Sequence, residues 1–424
     1  MKNFLKSIVA FNLALLARAV VRRYRPRIVM VSGSVGKTST KDAVAAVLAA
    51  RFFVRKSEKS FNSEFGVPFT IFGVRNPWGH PLAWFSVIKG ALALLLLPNH
   101  YPNMLVLEVG ADRPGDLSRI LRIATPDLVV LTRLPDIPVH VEAYTSPEAV
   151  REEEFSPAYA LAAAAPLIVP ADDTYARESA LRTPARLISY GVSDDAAVRV
   201  SDIGFYESMG KVEGMTAKVS IADERENLVV HDSVGKTQLL PAAAALAAAH
   251  ALEIPLPEAL KALESYEPPP GRGRILPGKN GSIIIDDSYN ASPAAVEEAL
   301  ETLKTFPHAK RRIAVLGDML ELGRYSVKEH GRIGVLASKS ADVIAAVGIR
   351  ARVFATAPGE SEKLVFDNSR AAALALPDIV RAGDVVLVKG SQSIRMERIV
   401  EALLADPSDA PRLVRQEEEW KQKP

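Results

Sequence analysis

A glycine-rich turn near the start of the chain carries the clearest chemistry in the sequence. Residues 33–39 read Gly-Ser-Val-Gly-Lys-Thr-Ser and directly follow the apolar run 28–31. A strand that feeds such a turn directs backbone N–H groups inward, and the following helix adds its positive end, so the turn can cradle phosphate. Lys37 then reaches the outer phosphates of a nucleotide, and the hydroxyl of Thr38 binds Mg²⁺. The predicted phosphate loop comprises Gly33, Ser34, Val35, Gly36, Lys37, Thr38 and Ser39.

Two more side chains in the first half of the chain could complete this site. Glu108 ends the apolar run 105–107, and His140 lies beyond the next run, 128–132. Because the carboxyl ends of parallel strands face the ligand crevice, Glu108 is placed to reach Mg²⁺ at the phosphate loop. The alternative is an acid that only contacts solvent. His140 by itself is more typical of a surface or core histidine than of a metal ligand.

Three polar loops in the second half of the chain each follow a short apolar run. They are Asp-Asp-Ser-Tyr-Asn-Ala-Ser-Pro (286–293), Gly-Asp-Met-Leu-Glu-Leu-Gly (317–323) and Lys-Gly-Ser-Gln-Ser (389–393). Their carboxylate, amide, phenol and ammonium groups are more than a turn requires. Because parallel strands end at the same edge of a sheet, we expect the three loops to face one ligand.

The elements that position these groups alternate between strands and helices. Near-continuous apolar runs predict parallel strands covered on both faces, at 27–32, 104–108, 128–132 and 167–170. Residues 187–231 predict a small antiparallel excursion, and helices follow at 239–252 and 257–266. The alternation restarts later, with strands predicted at 282–286, 312–317, 342–348 and 384–389.

This pattern predicts the α/β fold class, with a central P-loop parallel-sheet ATPase domain followed by a doubly wound Rossmann-like C-terminal domain. Pro-Pro-Pro-Gly at 268–271 can be neither helix nor central strand, so the boundary is placed there. The predicted units are a basic amphipathic helix (1–26), the ATP-binding domain (27–268) and the C-terminal domain (271–424). A second Gly-Lys-Thr, at 235–237, has no strand before it and is interpreted as a helix start.

Composition excludes several classes of protein. The 424 residues are 48% hydrophobic and 24% charged, which is typical of a globular chain. The absence of cysteine excludes disulfides, thiolate zinc sites and cysteine nucleophiles. The net charge is +2, but residues 1–27 carry seven basic and no acidic side chains, so the rest of the chain is net acidic. A nucleic-acid partner is therefore not expected.

The basic segment 1–26 admits two interpretations. Its apolar residues and arginines suit a helix at the surface of an anionic membrane, but it could equally pack on the nucleotide domain with a solvated basic end. A second apolar stretch, 82–97, is too short to span a bilayer and is interpreted as a helix buried in the domain. The expected location is the cytoplasm, with residues 1–26 offering contact to the inner face of the membrane.

Seven motifs in the same order make the chain similar to the Mur ligase family. They are GSVGKTS (33–39), NSEFGVP (62–68), LEVGADRPGD (107–116), PPGR (269–272), DDSYNASP (286–293), GDMLELG (317–323) and KGSQS (389–393). The resemblance implies an ATP- and Mg²⁺-dependent peptide ligase of cell-wall precursor synthesis. In this chemistry a substrate carboxylate becomes an acyl phosphate, which an amine then attacks. The resemblance is closest to members that add D-alanyl-D-alanine to a muramoyl-peptide carboxylate.

The resemblance also implies roles for individual residues. Thr38 and Glu108 would hold one Mg²⁺ and His140 a second, while Arg272 and Asp287 would contact ATP from the C-terminal domain. The residues implied to bind the substrates are Asn62, Tyr289, Asn290, Lys389 and Ser391. The two domains would close on each other, with residues 268–271 as the hinge.

The chain departs from the family pattern at three places. Family members carry a carbamylated lysine where this chain has Glu154, and we hypothesise that Glu154 supplies the same negative charge. Its side chain is shorter, so direct metal ligation would need the helix to move in or a bridging water. The alternative is an acidic first helical turn stabilised by the helix dipole. In the helix expected near the adenine of ATP, this chain has Thr237-Gln238 where family members tend to have a His-Asn pair.

The third departure lies before the phosphate loop, where family members carry a domain that grips a UDP-sugar. Only 26 residues precede the first predicted strand here. We therefore expect either a partner protein that holds the nucleotide-sugar or a lipid-linked precursor brought near by the basic helix. Two other functions remain open: a Mur-type ligase with other substrates, or a catalytically weak nucleotide-binding protein of a membrane complex.

Overall fold

The computed structural model describes residues 2–58, 61–77 and 81–421, so Met1 and residues 422–424 of the predicted units lie outside it. The strands are β1 (Arg27–Ser32), β2 (Val54–Lys56), β3 (Met104–Glu108), β4 (Leu128–Leu131), β5 (Pro166–Pro170), β6 (Arg186–Gly191), β7 (Val198–Ser208), β8 (Lys211–Ile221), β9 (Glu224–His231), β10 (Arg274–Pro277), β11 (Ile283–Asp287), β12 (Arg311–Gly317), β13 (Val343–Val347), β14 (Glu362–Phe366) and β15 (Asp384–Lys389).

The α-helices alternate with these strands along the chain. They are α1 (Lys2–Tyr24), α2 (Lys37–Leu48), α3 (Gly66–Phe72), α4 (Pro81–Leu96), α5 (Asp116–Leu121), α6 (Pro147–Tyr159), α7 (Thr174–Ala180), α8 (Lys236–Ala251), α9 (Leu256–Leu263), α10 (Pro293–Thr305), α11 (Ser326–Ser340), α12 (Arg352–Ala355), α13 (Ser369–Ile379), α14 (Glu397–Leu403) and α15 (Glu418–Lys421). Short 3₁₀ turns lie at Val141–Ala143, Lys279–Gly281, Gly323–Tyr325, Gln392–Ile394 and Pro407–Arg412.

The first sheet has nine strands in the order β2-β3-β1-β4-β5-β6-β7-β8-β9. Its strands pair in parallel from β2 to β7, and β7, β8 and β9 pair antiparallel. All four predicted parallel strands are present within one residue of their expected bounds. The antiparallel excursion is confined to residues 198–231 and extends the same sheet, whereas β6, inside the predicted range 187–231, pairs in parallel. The short edge strand β2 was missed. Because β1 lies between β3 and β4, the phosphate loop after β1 and Glu108 at the end of β3 lie close together at the carboxyl ends of these strands.

The second sheet has six strands in the order β10-β11-β15-β12-β13-β14. Only the β10–β11 pair is antiparallel, and the remaining pairs are parallel. The four predicted strands of this half are again within one residue of their expected bounds, whereas β10 and β14 were missed. Because β11, β15 and β12 are neighbours, the loops that follow them emerge side by side, as the sequence led us to expect.

The alanine-rich helix α8 packs against α2, the helix that follows the phosphate loop. Residues 242–249 of α8 are at most 1% exposed, and the helix packs on α2. Small side chains let two helices approach closely, so α2 and α8 pack tightly against each other on the same face of the sheet. The N-terminus of α2, which follows the phosphate loop, is therefore fixed by packing. The interpretation of residues 235–237 as a helix start is confirmed, since α8 begins at Lys236.

Helices α1, α3 and α4 cover the other face of this sheet. The inner side of α1 is buried at Leu13, Ala17 and Val20, so α1 packs on the nucleotide domain. The prediction that the stretch 82–97 is buried is only partly correct. α4 buries Val87 and Leu94 against the same core, but its opposite side is exposed. Among the described residues, no helix combines the length and the apolar character that crossing a bilayer requires.

Candidate functional site

The phosphate loop joins β1 to α2 through residues 33–36. Gly33 and Gly36 have φ angles of 119° and 90°, which side chains with a Cβ rarely adopt. A Cβ on Gly33 would also collide with Thr132, which directly follows the neighbouring strand β4. The backbone N–H of Ser34 donates to the carbonyl of Arg133 at 3.0 Å, which ties the loop to the end of β4. With the start of α2 at Lys37, the turn has the backbone geometry of an anion cradle.

Glu154 lies directly behind this loop. Its side chain is almost completely buried, and Oε2 accepts hydrogen bonds from the backbone N–H of Gly33 at 3.2 Å and from Oγ of Ser32 at 3.1 Å. Its Oε1 lies 3.6 Å from Nζ of Lys37, which also donates to the carbonyl of Gly33. The carboxylate thus reaches the loop without any movement of α6. Because α6 begins at Pro147, Glu154 is not in its first turn, so the helix-dipole alternative is wrong.

Glu108 occupies the end of β3 beside the loop. It is 1% exposed, and its Oε1 lies 3.3 Å from the donating hydroxyl of Thr38. Its other oxygen, Oε2, has no hydrogen-bond partner within the part of the chain that the structure describes. Burial raises the pKa of Glu108, although the positive charges of Lys41 and Lys37 oppose this. A buried carboxylate with one unsatisfied oxygen next to a threonine hydroxyl suits Mg²⁺, which prefers hard oxygen ligands.

His140 lies between the two domains. Its Nδ1 is 2.8 Å from Oε2 of Glu321, which belongs to the second domain, and its Nε2 is 3.5 Å from Oδ1 of Asp112. Burial opposes protonation of the imidazole, but Glu321 and Asp112 outweigh it and raise the pKa of His140. Over residues 2–58, 61–77 and 81–421, no three His, Cys, Asp or Glu side chains form a group suited to a metal. A cation here would therefore complete its ligand set with water or phosphate oxygens.

The C-terminal wall of the site is built from the loop after β11. The guanidinium of Arg272 lies 4.1 Å from the centre of the Tyr289 ring, and Arg415 lies 5.3 Å from the same ring. Arg415 also donates to the carbonyl of Tyr289 and pairs with Glu397 at 2.9 Å. Arg415 is 7% exposed, so this part of the chain near its C-terminus packs against the loop after β11 and supports it.

Two predicted site residues lie behind this wall. Nζ of Lys389 is 2.6 Å from Oδ2 of Asp287 and 3.1 Å from the carbonyl of Asn290, and Lys389 is 2% exposed. Burial lowers the pKa of the Lys389 ammonium, and the charge of Asp287 opposes this. The prediction that Lys389 lines the crevice is therefore corrected: its ammonium fixes the loop that carries Asn290. Asp287 is engaged in the same ion pair.

A cavity of about 510 Å³ separates the two walls. Residues predicted for the site line it from both domains: Ser34, Val35, Gly36, Lys37, Thr38, Asn62, Glu108, His140, Arg272, Tyr289, Asn290 and Ser391. The predicted residues outside its lining are Gly33, Ser39, Glu154, Asp287 and Lys389. Asp112, Glu321 and Trp420 also line the cavity and were not assigned beforehand. Asp112 and Glu321 lie in motifs that the sequence already indicated, whereas nothing marked Trp420.

Two family profiles match the chain. The Mur ligase middle domain matches residues 31–249, and the Mur ligase, glutamate ligase domain matches residues 271–392. The chain belongs to the Mur ligase family. This membership confirms the predicted fold class and the prediction of an ATP-dependent peptide ligase.

Individual Mur ligases resemble the chain over most of its length. The UDP-N-acetylmuramoyl-tripeptide–D-alanyl-D-alanine ligase of Bacillus subtilis is 26% identical over 92% of this chain and 79% of its own. The same ligase of Mycobacterium tuberculosis is 29% identical over 89% and 73%. The MurF ligase of Thermotoga maritima, solved in complex with ADP, superposes with a TM-score of 0.76 at 26% identity, covering 93% of this chain and 83% of that one.

Proposed function

We propose that the protein joins D-alanyl-D-alanine to the carboxylate of a UDP-N-acetylmuramoyl tripeptide, in peptidoglycan precursor synthesis, with hydrolysis of ATP to ADP. The observation that carries this proposal is the cavity between the domains, which has the phosphate loop on one side and the loop after β11 on the other. The named relatives that cover most of the chain support these substrates.

The reaction needs two bond exchanges in one place. The γ-phosphoryl group passes from ATP to the substrate carboxylate, which forms an acyl phosphate and releases ADP. The amine of the dipeptide then attacks the acyl carbon, an amide bond forms, phosphate leaves and the amine loses a proton. Phosphoryl transfer depends mainly on positioning and on neutralising charge. The loop of residues 33–39 with Lys37 would bind and orient the phosphates.

The residues beside the loop suit a divalent cation bound together with ATP. Thr38 and Glu108 would hold it, and His140 would hold a second one once Glu321 releases the imidazole. The unsatisfied Oε2 of Glu108 is the observation that fits this role. When bound, Mg²⁺ supplies positive charge to the phosphate oxygens. From the C-terminal domain, Arg272 would contact ATP.

The remaining residues would position the substrates and the loop. Asn62, Tyr289, Asn290 and Ser391 line the cavity where the carboxylate and the incoming amine must meet. Glu154 would supply the negative charge behind the loop, through its contact with Gly33 and its 3.6 Å approach to Lys37. Asp287 and Lys389 would hold Asn290 in place through their ion pair.

A coupled assay tests the proposal. The purified protein is incubated with ATP, Mg²⁺, D-alanyl-D-alanine and UDP-muramoyl tripeptide, and phosphate release is compared with the mass of the product. We expect one phosphate for each amide formed, and none when either substrate is left out. Turnover with a different amine but not with this dipeptide would favour a Mur-type ligase of other specificity. Nucleotide binding without turnover on any pair would favour a catalytically weak protein.

A further inference from the structure

Two neighbouring helices on the first domain expose apolar side chains along one side each. We call the two sides together the helix-pair face. On α1 it consists of Ile8, Phe11 and Leu15, which are 43%, 64% and 51% exposed. On α4 it consists of Phe85, Ile88, Leu92 and Leu96, which are 77%, 47%, 43% and 74% exposed. Single exposed apolar residues are ordinary, but seven on adjacent helices form a patch that requires an explanation.

The spacing of these residues shows that each set is a continuous stripe. They recur every three or four positions, so each set follows one side of its helix. The opposite sides, including Leu13 and Ala17 on α1 and Val87 and Ala91 on α4, are buried in the same core. Both stripes therefore point away from the domain.

The C-terminal ends of the two helices are tied together. Nη1 of Arg23 donates to the carbonyl of Leu95 at 2.7 Å, and the hydroxyl of Tyr24 donates to the carbonyl of Leu94 at 2.7 Å. The two helices also contact each other and pack into the same core. The two stripes therefore lie on adjacent helices; the one on α4 spans about three turns, roughly 16 Å, and the one on α1 about two turns, roughly 10 Å.

Basic side chains flank the apolar stripes. Arg18, Arg22 and Arg25 are exposed near the end of α1, and Lys89 is exposed within the stripe of α4. Neither α1 nor α4 contains an acidic residue. Arg122 joins the three arginines around a cleft of about 610 Å³.

The nearby acids are already engaged. Asp127, in that cleft, accepts a hydrogen bond from the backbone of Ile28, while Asp116 pairs with Arg119 at 2.7 Å and Glu64 lies 3.8 Å from the same arginine. The charge around the face is thus positive, whereas the chain apart from residues 1–27 is net acidic.

We propose that the helix-pair face docks on the surface of an anionic bilayer. The apolar stripes enter the boundary between headgroups and acyl chains, and the arginines contact lipid phosphates, as in interfacial amphipathic helices. The positive charge favours an anionic lipid surface over a second copy of the chain, which would place like charges against each other. The proposal concerns a surface that shares no residue with the cavity lining and does not depend on which substrates the ligase uses.

Sedimentation of the full chain with lipid vesicles tests whether the helix-pair face docks on an anionic bilayer. We expect the protein to sediment with vesicles of phosphatidylethanolamine and phosphatidylglycerol, and to remain in solution with phosphatidylcholine alone. Binding should weaken as salt rises, because the arginine contribution is screened. Replacing both Arg18 and Arg22 by Gln should weaken binding by roughly 25-fold, since each basic residue near the surface contributes about fivefold. The double variant Phe85→Ser/Leu92→Ser should weaken it by at least about tenfold.

Matched controls separate docking from loss of folding. Leu374 is 82% exposed on α13 of the other domain, so Leu374→Ser should bind vesicles like the unchanged protein. Each variant should keep its thermal unfolding midpoint and its rate of ATP turnover, which shows that the ligase is intact. Equal binding by the Phe85→Ser/Leu92→Ser variant and the unchanged protein would overturn the proposal. The proposal would also be overturned if the unchanged protein did not bind anionic vesicles but formed dimers, and the Phe85→Ser/Leu92→Ser variant were monomeric. A second copy of the chain would then cover the helix-pair face.

Discussion

The two walls of the cavity hold their charged groups in different ways. On the phosphate-loop wall, Oε2 of Glu108 lacks a hydrogen-bond partner in the described part of the chain, and Glu154 stands behind Lys37 at 3.6 Å. On the C-terminal wall Lys389 pairs with Asp287, and the buried oxygen without a partner in the described residues there, Oδ2 of Asp286, belongs to a residue outside the cavity lining. An unsatisfied buried polar group costs free energy until a ligand satisfies it. The first wall is therefore arranged to receive a ligand, and the second to keep its loop in one shape.

The largest effect is expected from removing the loop lysine. Lys37→Ala should lower ATP turnover by at least about 100-fold, because the charge facing the phosphates is lost. The matched control is Lys236→Ala, which changes the lysine of the second Gly-Lys-Thr, an exposed residue at the start of α8. Phosphate release by both variants measures the difference. Comparable losses in the two variants would contradict the assignment of the ligand-binding wall.

On the other wall, the largest effect should be on stability. Glu397 is 1% exposed and lies 2.5 Å from Arg395 and 2.9 Å from Arg415. Glu397→Gln leaves two buried guanidinium groups without a counter-charge, so the free energy of unfolding should fall by roughly 3–5 kcal/mol. Urea denaturation measures this. The control Asp409→Asn removes the partner of Arg412 in an ion pair that is more exposed than that of Glu397. It should change the free energy of unfolding by less than about 1 kcal/mol.

Glu154→Gln tests whether a charge that supports the first wall matters for the reaction. The amide keeps the size of the side chain but removes the negative charge beside Lys37, so kcat should fall by roughly 10-fold to 100-fold. Glu148→Gln is the control, since it changes an exposed acid of the same helix. Unfolding curves should show whether Glu154→Gln remains folded. A folded variant with unchanged kcat would mean that Glu154 only fills space behind the loop.

The smallest effect concerns the contact that joins the walls. Glu321 raises the pKa of His140 above its ordinary value, so this stabilisation is fully present below about pH 6.5 and is lost as pH rises through the raised pKa. Glu321→Gln should therefore reduce stability more at pH 6 than at pH 9, by about 0.5 kcal/mol for a partly exposed pair. Urea titrations without Mg²⁺ measure this.

The more exposed pair of His308 and Glu207, at 3.2 Å, is the control for this measurement. Glu207→Gln should show a smaller difference between the two pH values, because solvent screens that pair more strongly. If the loss of stability in Glu321→Gln depends on pH no more than the loss in Glu207→Gln, the contact between His140 and Glu321 does not stabilise the two walls against each other.

Much of the site could be predicted because its loops follow strands directly. The phosphate loop, Glu108 and the loop after β11 sit at strand ends, and parallel pairing brings such ends together. The position of Glu154 could not be predicted, because it depends on how α6 packs behind β1. The exposed stripe on α4 was missed for a related reason: an almost wholly apolar helix has no polar side to indicate which residues face solvent.

The sequence by itself determined the local geometry, because the positive φ angles of Gly33 and Gly36 and the step from strand to helix depend on residues that are close in the chain. Only the tertiary structure decided which charges face the cavity and which neutralise each other. Lys37 and Glu154, like Asp287 and Lys389, are more than a hundred positions apart, and their approach depends on packing across a sheet. Local steric constraints act over a few residues, whereas the pairing of buried charges depends on how elements that are distant in the chain pack together.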